Sequence, residues 1–289
     1  MMALLATARG VHIASLMTIF GGSGYATLLR RAGLPEPSAK AMRILFGAAA
    51  PLAMASGLLW FCLIAGQMSG SWQASFDPAI LKLAASGTRF GQIFLGRSIG
   101  LAALLLVCAL GRRLDGLGIS ILAGLLLASL GPISHAAAGG DVASVGAIND
   151  AGHLLAAGFW LGGLVTLAML VQRYWRDPAS LLGALRLFSV WGTPAVAALV
   201  ITGLTNAISI LPLSMMSLRN SYFDLLLVKV GLASVMIGLA ALNRWHFAPA
   251  LRTSGDKAAR HLAGSVGLEI VLGFTVVAVA ACLGMTSPH

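Results

Sequence analysis

Charge is what this sequence has least of. Only 10% of its 289 residues are Asp, Glu, Lys or Arg, whereas a soluble domain carries about 25%. Acidic residues are scarcest, 9 against 19 basic ones, for a net charge of +10. Cysteine is rare too. Cys62, Cys108 and Cys282 all lie in apolar runs and form no CxxC pair, which excludes a disulfide framework and a cysteine zinc site. Walker A, HExxH and GxSxG patterns are absent, so ATP-driven pumping, zincin proteolysis and a serine-hydrolase elbow have no support. The alternating segments of about ten residues that mark a transmembrane β-barrel are also missing.

What remains is apolar. Hydrophobic residues make up 58% of the chain, and the mean hydropathy is +0.90. The apolar runs are continuous and near the roughly 20 residues that cross a bilayer. They predict an all-α, polytopic membrane protein with eight transmembrane helices, at about 5–29, 43–67, 89–111, 117–138, 148–171, 187–211, 222–244 and 262–284. The first residues could pass for a signal peptide, but they lack a basic n-region and the apolar run continues to about Leu29. They are read as the first span. The connections leave no room for a soluble domain, so residues 1–289 form a single membrane domain.

The basic residues set an orientation. Arg30, Arg31, Lys40 and Arg43 follow span 1, and Arg112 and Arg113 follow span 3. Arg173, Arg176 and Arg186 follow span 5, and Arg244, Arg252, Lys257 and Arg260 follow span 7. The opposite loops hold only Lys82, Arg89 and Arg219. The positive-inside rule then places both termini outside, in a bacterium the periplasm. It also accounts for the pI of about 10.6 without nucleic acid as a partner; the partner implied is membrane lipid. Residues 71–88, with Trp72, Phe76, Pro78 and Leu81, are expected along the outer interface.

Two halves, about 1–140 and 146–289, echo each other. His12 precedes Gly21 and Gly22 by the same offsets that separate His153 from Gly162 and Gly163. Arg9 and Asp150 each stand three residues before the histidine. Arg97 of span 3 precedes Arg112 by fifteen residues, as Lys229 of span 7 precedes Arg244. Four helices per half would make this a 4+4 parallel repeat.

Ionisable groups at membrane depth are functional candidates. The topology brings His12, His135 and His153 to one level, where imidazoles could form a metal site; each could equally sit at a wet interface. Asp150 and His153 share a helix face. Asp150 could orient the imidazole, or could simply favour the helix N-terminus. Arg97 and Lys229 lie deeper and are expected to pair with Asp150, Asp224 or a bound anion. Glu269 in span 8 has no local partner; it could serve a proton or cation path, or be a protonated carboxyl bonded to a neighbouring helix. Met68, Met215, Met216 and Met285 lie at outer ends, where thioether and imidazole together suit Cu(I), although methionine is also an ordinary packing residue. Gly158 and Gly162 form a GxxxG suited to close helix packing. Pro51, Pro132 and Pro194 are expected to kink spans 2, 4 and 6.

Several stretches then resemble a known family. They are HLLAAGFWLGGLVTL from His153, RLFSVWGTPAVAALVITGLTNA from Arg186, SYFDLLLVKVGLASVMIGLAALNRW from Ser221 and the closing GLEIVLGFTVVAVAACLGMTSP, with TRFGQIFLGR at the entry to span 3 and SHAAAGG at the end of span 4. Their order and spacing resemble the CopD (PcoD, YebZ) family of bacterial inner-membrane copper proteins. Phe223 and Ser134 stand where glycine is expected. The resemblance implies copper movement across the inner membrane, usually uptake from a periplasmic CopC-like donor. His12, His135 and His153 would then receive the copper ion. The alternative is a membrane redox protein or copper reductase. There His12 and His153 would ligate haem b, and Arg9, Arg97 and Lys229 would meet propionates. A third reading is a non-enzymatic docking subunit for a periplasmic partner. A homodimer stays open.

Overall fold

The computed structural model describes residues 2–110, 116–133, 142–210 and 221–286. Among these residues the regular structure is entirely helical. The helices are α1 (Met2–Arg31), α2 (Ala39–Met68), α3 (Pro78–Gly87), α4 (Arg89–Leu110), α5 (Gly116–Ala128), α6 (Val142–Tyr174), α7 (Pro178–Ile210), α8 (Ser221–Leu242) and α9 (Ala248–Leu283). Eight segments are long and apolar enough to cross a membrane, as the sequence predicts. The ten-residue α3 is not among them, and α5 reaches the needed length together with the turn that follows it, to Ile133. Helix α3 fills the predicted interfacial stretch, starting at Pro78 with Asp77 as its cap; Ala79 N–H donates to Asp77 Oδ1 at 2.8 Å. Phe76 and Leu83 there are exposed.

The boundaries differ from expectation in two informative places. The fourth span was expected to run helical to residue 138, but α5 ends at Ala128. The chain then tightens: Leu130 N–H bonds Leu127 C=O and Ile133 N–H bonds Leu130 C=O. Pro132 lies in that 3₁₀ turn, Gly131–Ile133, so it follows a helix end rather than kinking a helix interior; a proline has no N–H to continue the ladder. Pro51 and Pro194 do lie inside α2 and α7. The second place is the expected loop after span 7. It is helical: a π turn, Asn243–Phe247, leads directly into α9. The reversal occurs at Gly255, with φ 32° and ψ −104°. Positive φ costs glycine little because it has no Cβ.

The two most buried spans are α1 and α6, each with 61% of its apolar window inside the molecule, against 11% for α7 and 6% for the span beginning with α8. So α1 and α6 form the axis and α7 and α8 face outward. Lipid tails are as apolar as leucine, so close packing rather than water exclusion drives this contact. Glycine makes it possible. A Cβ on Gly21 would meet the Gly158 carbonyl, with Gly162 Cα 2.9 Å away; a Cβ on Gly162 would meet the Met17 carbonyl, with Gly21 Cα 2.9 Å away. The predicted GxxxG thus packs α6 against α1. One core cluster gathers α1, α2, α4 and α5 around Leu16, Leu63, Leu101 and Leu127. The other gathers α6, α7 and α9 around Leu164, Leu181 and Leu262. Tyr25 joins them; its hydroxyl donates to Ala184 C=O at 2.7 Å.

Candidate functional site

The first polar group surrounds His12, which is fully buried on α1. Its Nδ1–H donates to the Ala53 carbonyl of α2 at 2.7 Å. A carbonyl only accepts, so Nδ1 carries the proton and Nε2 presents a lone pair. Arg97 of α4 donates to that Nε2 at 2.7 Å. The same guanidinium reaches the Leu126 carbonyl and Ser129 Oγ. Arg97 is 3% exposed, so the sequence expectation of a carboxylate or anion partner is replaced by a neutral acceptor set. Trp60 flanks the imidazole, with ring centroids 5.9 Å apart. Arg9, one turn before His12, lies 5.8 Å over the same indole and packs against Gly284 after α9.

The second group surrounds His153 on α6. Its Nδ1 lies 2.8 Å from Thr202 Oγ1 on α7. That hydroxyl spends its own proton on the Ala198 carbonyl, at 2.6 Å. It therefore accepts from the imidazole, which protonates Nδ1 and leaves the Nε2 lone pair facing no hydrogen-bond donor among the described residues. Asp150 does not take the orienting role that its spacing suggested. Its Oδ1 accepts from Asn206 Nδ2 at 2.6 Å, and Asn149 bonds both the Thr202 carbonyl and Asn206 Oδ1. The reason is tertiary. Thr202 and Asn206, one turn apart on α7, face α6 and intercept both side chains. Lys229 of α8 acts electrostatically on His153 and Asp150, and Arg9 and Tyr222 also feel the Asp150 charge. None of these contacts is a salt bridge; among the described residues the one direct ion pair is Arg30–Glu36, at 2.9 Å.

The predicted candidates are thus divided. Arg9, His12 and Arg97 belong to one network; Asp150, His153 and Lys229 belong to another, linked through Arg9. His135, Met215 and Met216 lie outside the described residues. Met68 is exposed at the end of α2, and Met285 packs against the first core cluster beside Gly284. Among the described residues no three His, Cys, Asp or Glu side chains gather as a metal site. Both ring nitrogens of His12, the expected haem partner of His153, are bonded within the protein, to Ala53 C=O and to Arg97. Glu269 does have a partner, Asn243 Nδ2 at the π turn. Sequence reasoning missed Thr202, Asn206 and Ser129. The Thr-x-x-x-Asn spacing in span 6 was the available signal, but small polar residues in a span often only bond their own backbone.

Eight apolar spans packed around a glycine-lined axis, with histidine networks on both halves, define a multi-pass membrane protein of helical-bundle type. The chain belongs to the copper resistance protein D family. Residues 1–145 match the copper resistance protein D-like N-terminal domain, and residues 182–283 match copper resistance protein D. Three relatives illustrate the membership. Inner membrane protein YebZ of Escherichia coli (strain K12) is 28% identical over 97% of both chains. Copper transport protein CutJ of Bacillus subtilis (strain 168) is 30% identical over 78% of this chain and 44% of its own length. Copper resistance protein D of Pseudomonas syringae pv. tomato is 28% identical, covering 94% of this chain and 91% of that protein. No solved structure matches.

Proposed function

We propose that this protein moves copper across the bacterial inner membrane, taking it from the periplasmic face with His153 as the receiving ligand. The observation that carries the reading is the free Nε2 of His153, held in a fixed ring orientation by Thr202. Imidazole with a hydrogen-bonded Nδ1–H is the form that binds metal through Nε2. The names of two relatives, a copper transport protein and a copper resistance protein, supply the metal. Both termini lie on the periplasmic side in this scheme, and a CopC-like periplasmic protein is the donor.

The two halves act as a parallel repeat. His12 with Arg97 and His153 with Lys229 are corresponding pairs, one cation to each histidine. The reciprocal contacts of Gly21 and Gly162 relate α1 to α6 in the same register. Copper passes from His153 toward His12, whose Nε2 becomes a ligand when Arg97 releases it. His135 and the outer methionines complete the receiving site.

Copper accumulation in cells expressing the protein tests this. His153→Ala should abolish the copper-dependent increment. Thr202→Val, which removes the orienting acceptor, should weaken Cu(I) binding about 10- to 100-fold. Normal accumulation by His153→Ala at equal expression would sink the proposal. A Soret band in the purified protein, lost on the same substitution, would establish haem instead.

A further inference from the structure

A cleft of about 650 Å³ opens toward the end of the bundle opposite His12 and His153. The floor is α6, through Trp160 and Leu164; α7 forms one wall, and α8, the π turn and α9 form the other. Its upper walls are apolar, with Leu167, Val196 and Ile237. Its rim is not. Arg186 of α7, Arg244 of the π turn and Arg252 of α9 all line it. These three cations come from separate elements and meet at one opening. Arg244 Nη1 donates to Thr193 Oγ1 across the cleft at 2.6 Å. Arg186 and Arg252 are exposed, and neither bonds any described residue. The one acidic lining residue, Glu269, is 1% exposed and bonded to Asn243, so it offers the rim no counter-charge.

We infer that this cleft binds an anionic phospholipid, its phosphate between Arg186, Arg244 and Arg252 and an acyl chain along the apolar wall. The depth of the arginines fits a headgroup. The span beginning with α8 runs Tyr222–Thr253, about 48 Å at 1.5 Å per residue, well beyond a hydrocarbon core of about 30 Å. Its last turns therefore reach headgroup level. The apolar wall favours a lipid over a free anion, and α7 and α8 are the spans least covered by protein. Basic pockets between spans are a recognised setting for anionic headgroups.

The test uses full-length protein in detergent, delipidated and then titrated with phosphatidylglycerol or phosphatidylcholine of the same acyl chains, with retention read by native mass spectrometry. Phosphatidylglycerol should be retained preferentially. Arg186→Gln and Arg252→Gln should each lower that retention about fivefold. Lys257→Gln removes an equal charge outside the cleft and should leave retention unchanged. Both arginines are exposed, so folding should survive; a thermal-melting control verifies it. Equal retention of the two lipids would overturn the inference, as would an equal loss with Lys257→Gln. Displacement of the lipid by millimolar inorganic phosphate would reveal a bare anion site and overturn it too.

Discussion

Arg97 closes His12. Its guanidinium donates to the imidazole Nε2 at 2.7 Å while the other ring nitrogen donates to Ala53 C=O. The pair ties α1 to α2, α4 and the end of α5 in one buried network. His153 has the opposite status: one nitrogen is held by Thr202 and the other is free. Two similar histidines therefore do different work, one joining helices and one available to a ligand.

Arg97→Met should separate these roles. It leaves His12 Nε2 unpaired in an apolar interior and removes the bonds to Ser129 and Leu126. Hydrogen bonds to charged groups contribute about 1.5–3 kcal/mol each, so the melting temperature in detergent should drop by several degrees. The same change uncovers a second imidazole nitrogen, and Cu(I) titration should show added capacity relative to the parent protein. An unchanged melt with unchanged capacity would contradict both assignments.

Gly162→Ala should disturb the axis. The added Cβ meets the Met17 carbonyl of α1, backbone that cannot rotate away. Overpacking of this kind costs about 1–3 kcal/mol. Gly238→Ala is the control, since a Cβ there meets nothing within 4 Å. Size-exclusion recovery after graded heating should fall for the first and stay level or rise for the second.

Asp177 makes the start of α7 acid-sensitive. It accepts from the Ser180 hydroxyl at 2.6 Å and from the Ser180 N–H at 3.2 Å. The Ser180 side chain, then its backbone N–H, holds this carboxyl below its ordinary value. A lowered pKa means the cap is fully present above the unfolded value of about 3.9 and is lost as pH falls through the folded one. Hydrogen exchange in the first turn of α7, corrected for intrinsic rate, should accelerate below about pH 4. Asp177→Asn should flatten that dependence. An identical acid response in the variant would rule the cap out.

The sequence alone determined that eight helices cross a membrane, because runs of about 20 apolar residues have no other stable arrangement in lipid. It also marked Gly158 and Gly162 as packing residues, and it singled out nearly every charged group that proves to be buried. Spacing along one helix could not determine partners. Asp150 and His153 share a face of α6, yet Thr202 and Asn206 of α7 take them both. Arg97 looked like a cation in need of an anion, yet three neutral acceptors, one on α1 and two at the end of α5, receive it. The turn after α8 read as a basic loop, yet it stays helical to Gly255. These outcomes depend on which helix faces which across a few ångströms. That is decided by the approach of α1 to α6 and by the crowding of α7 against α6, and only the folded chain contains that information.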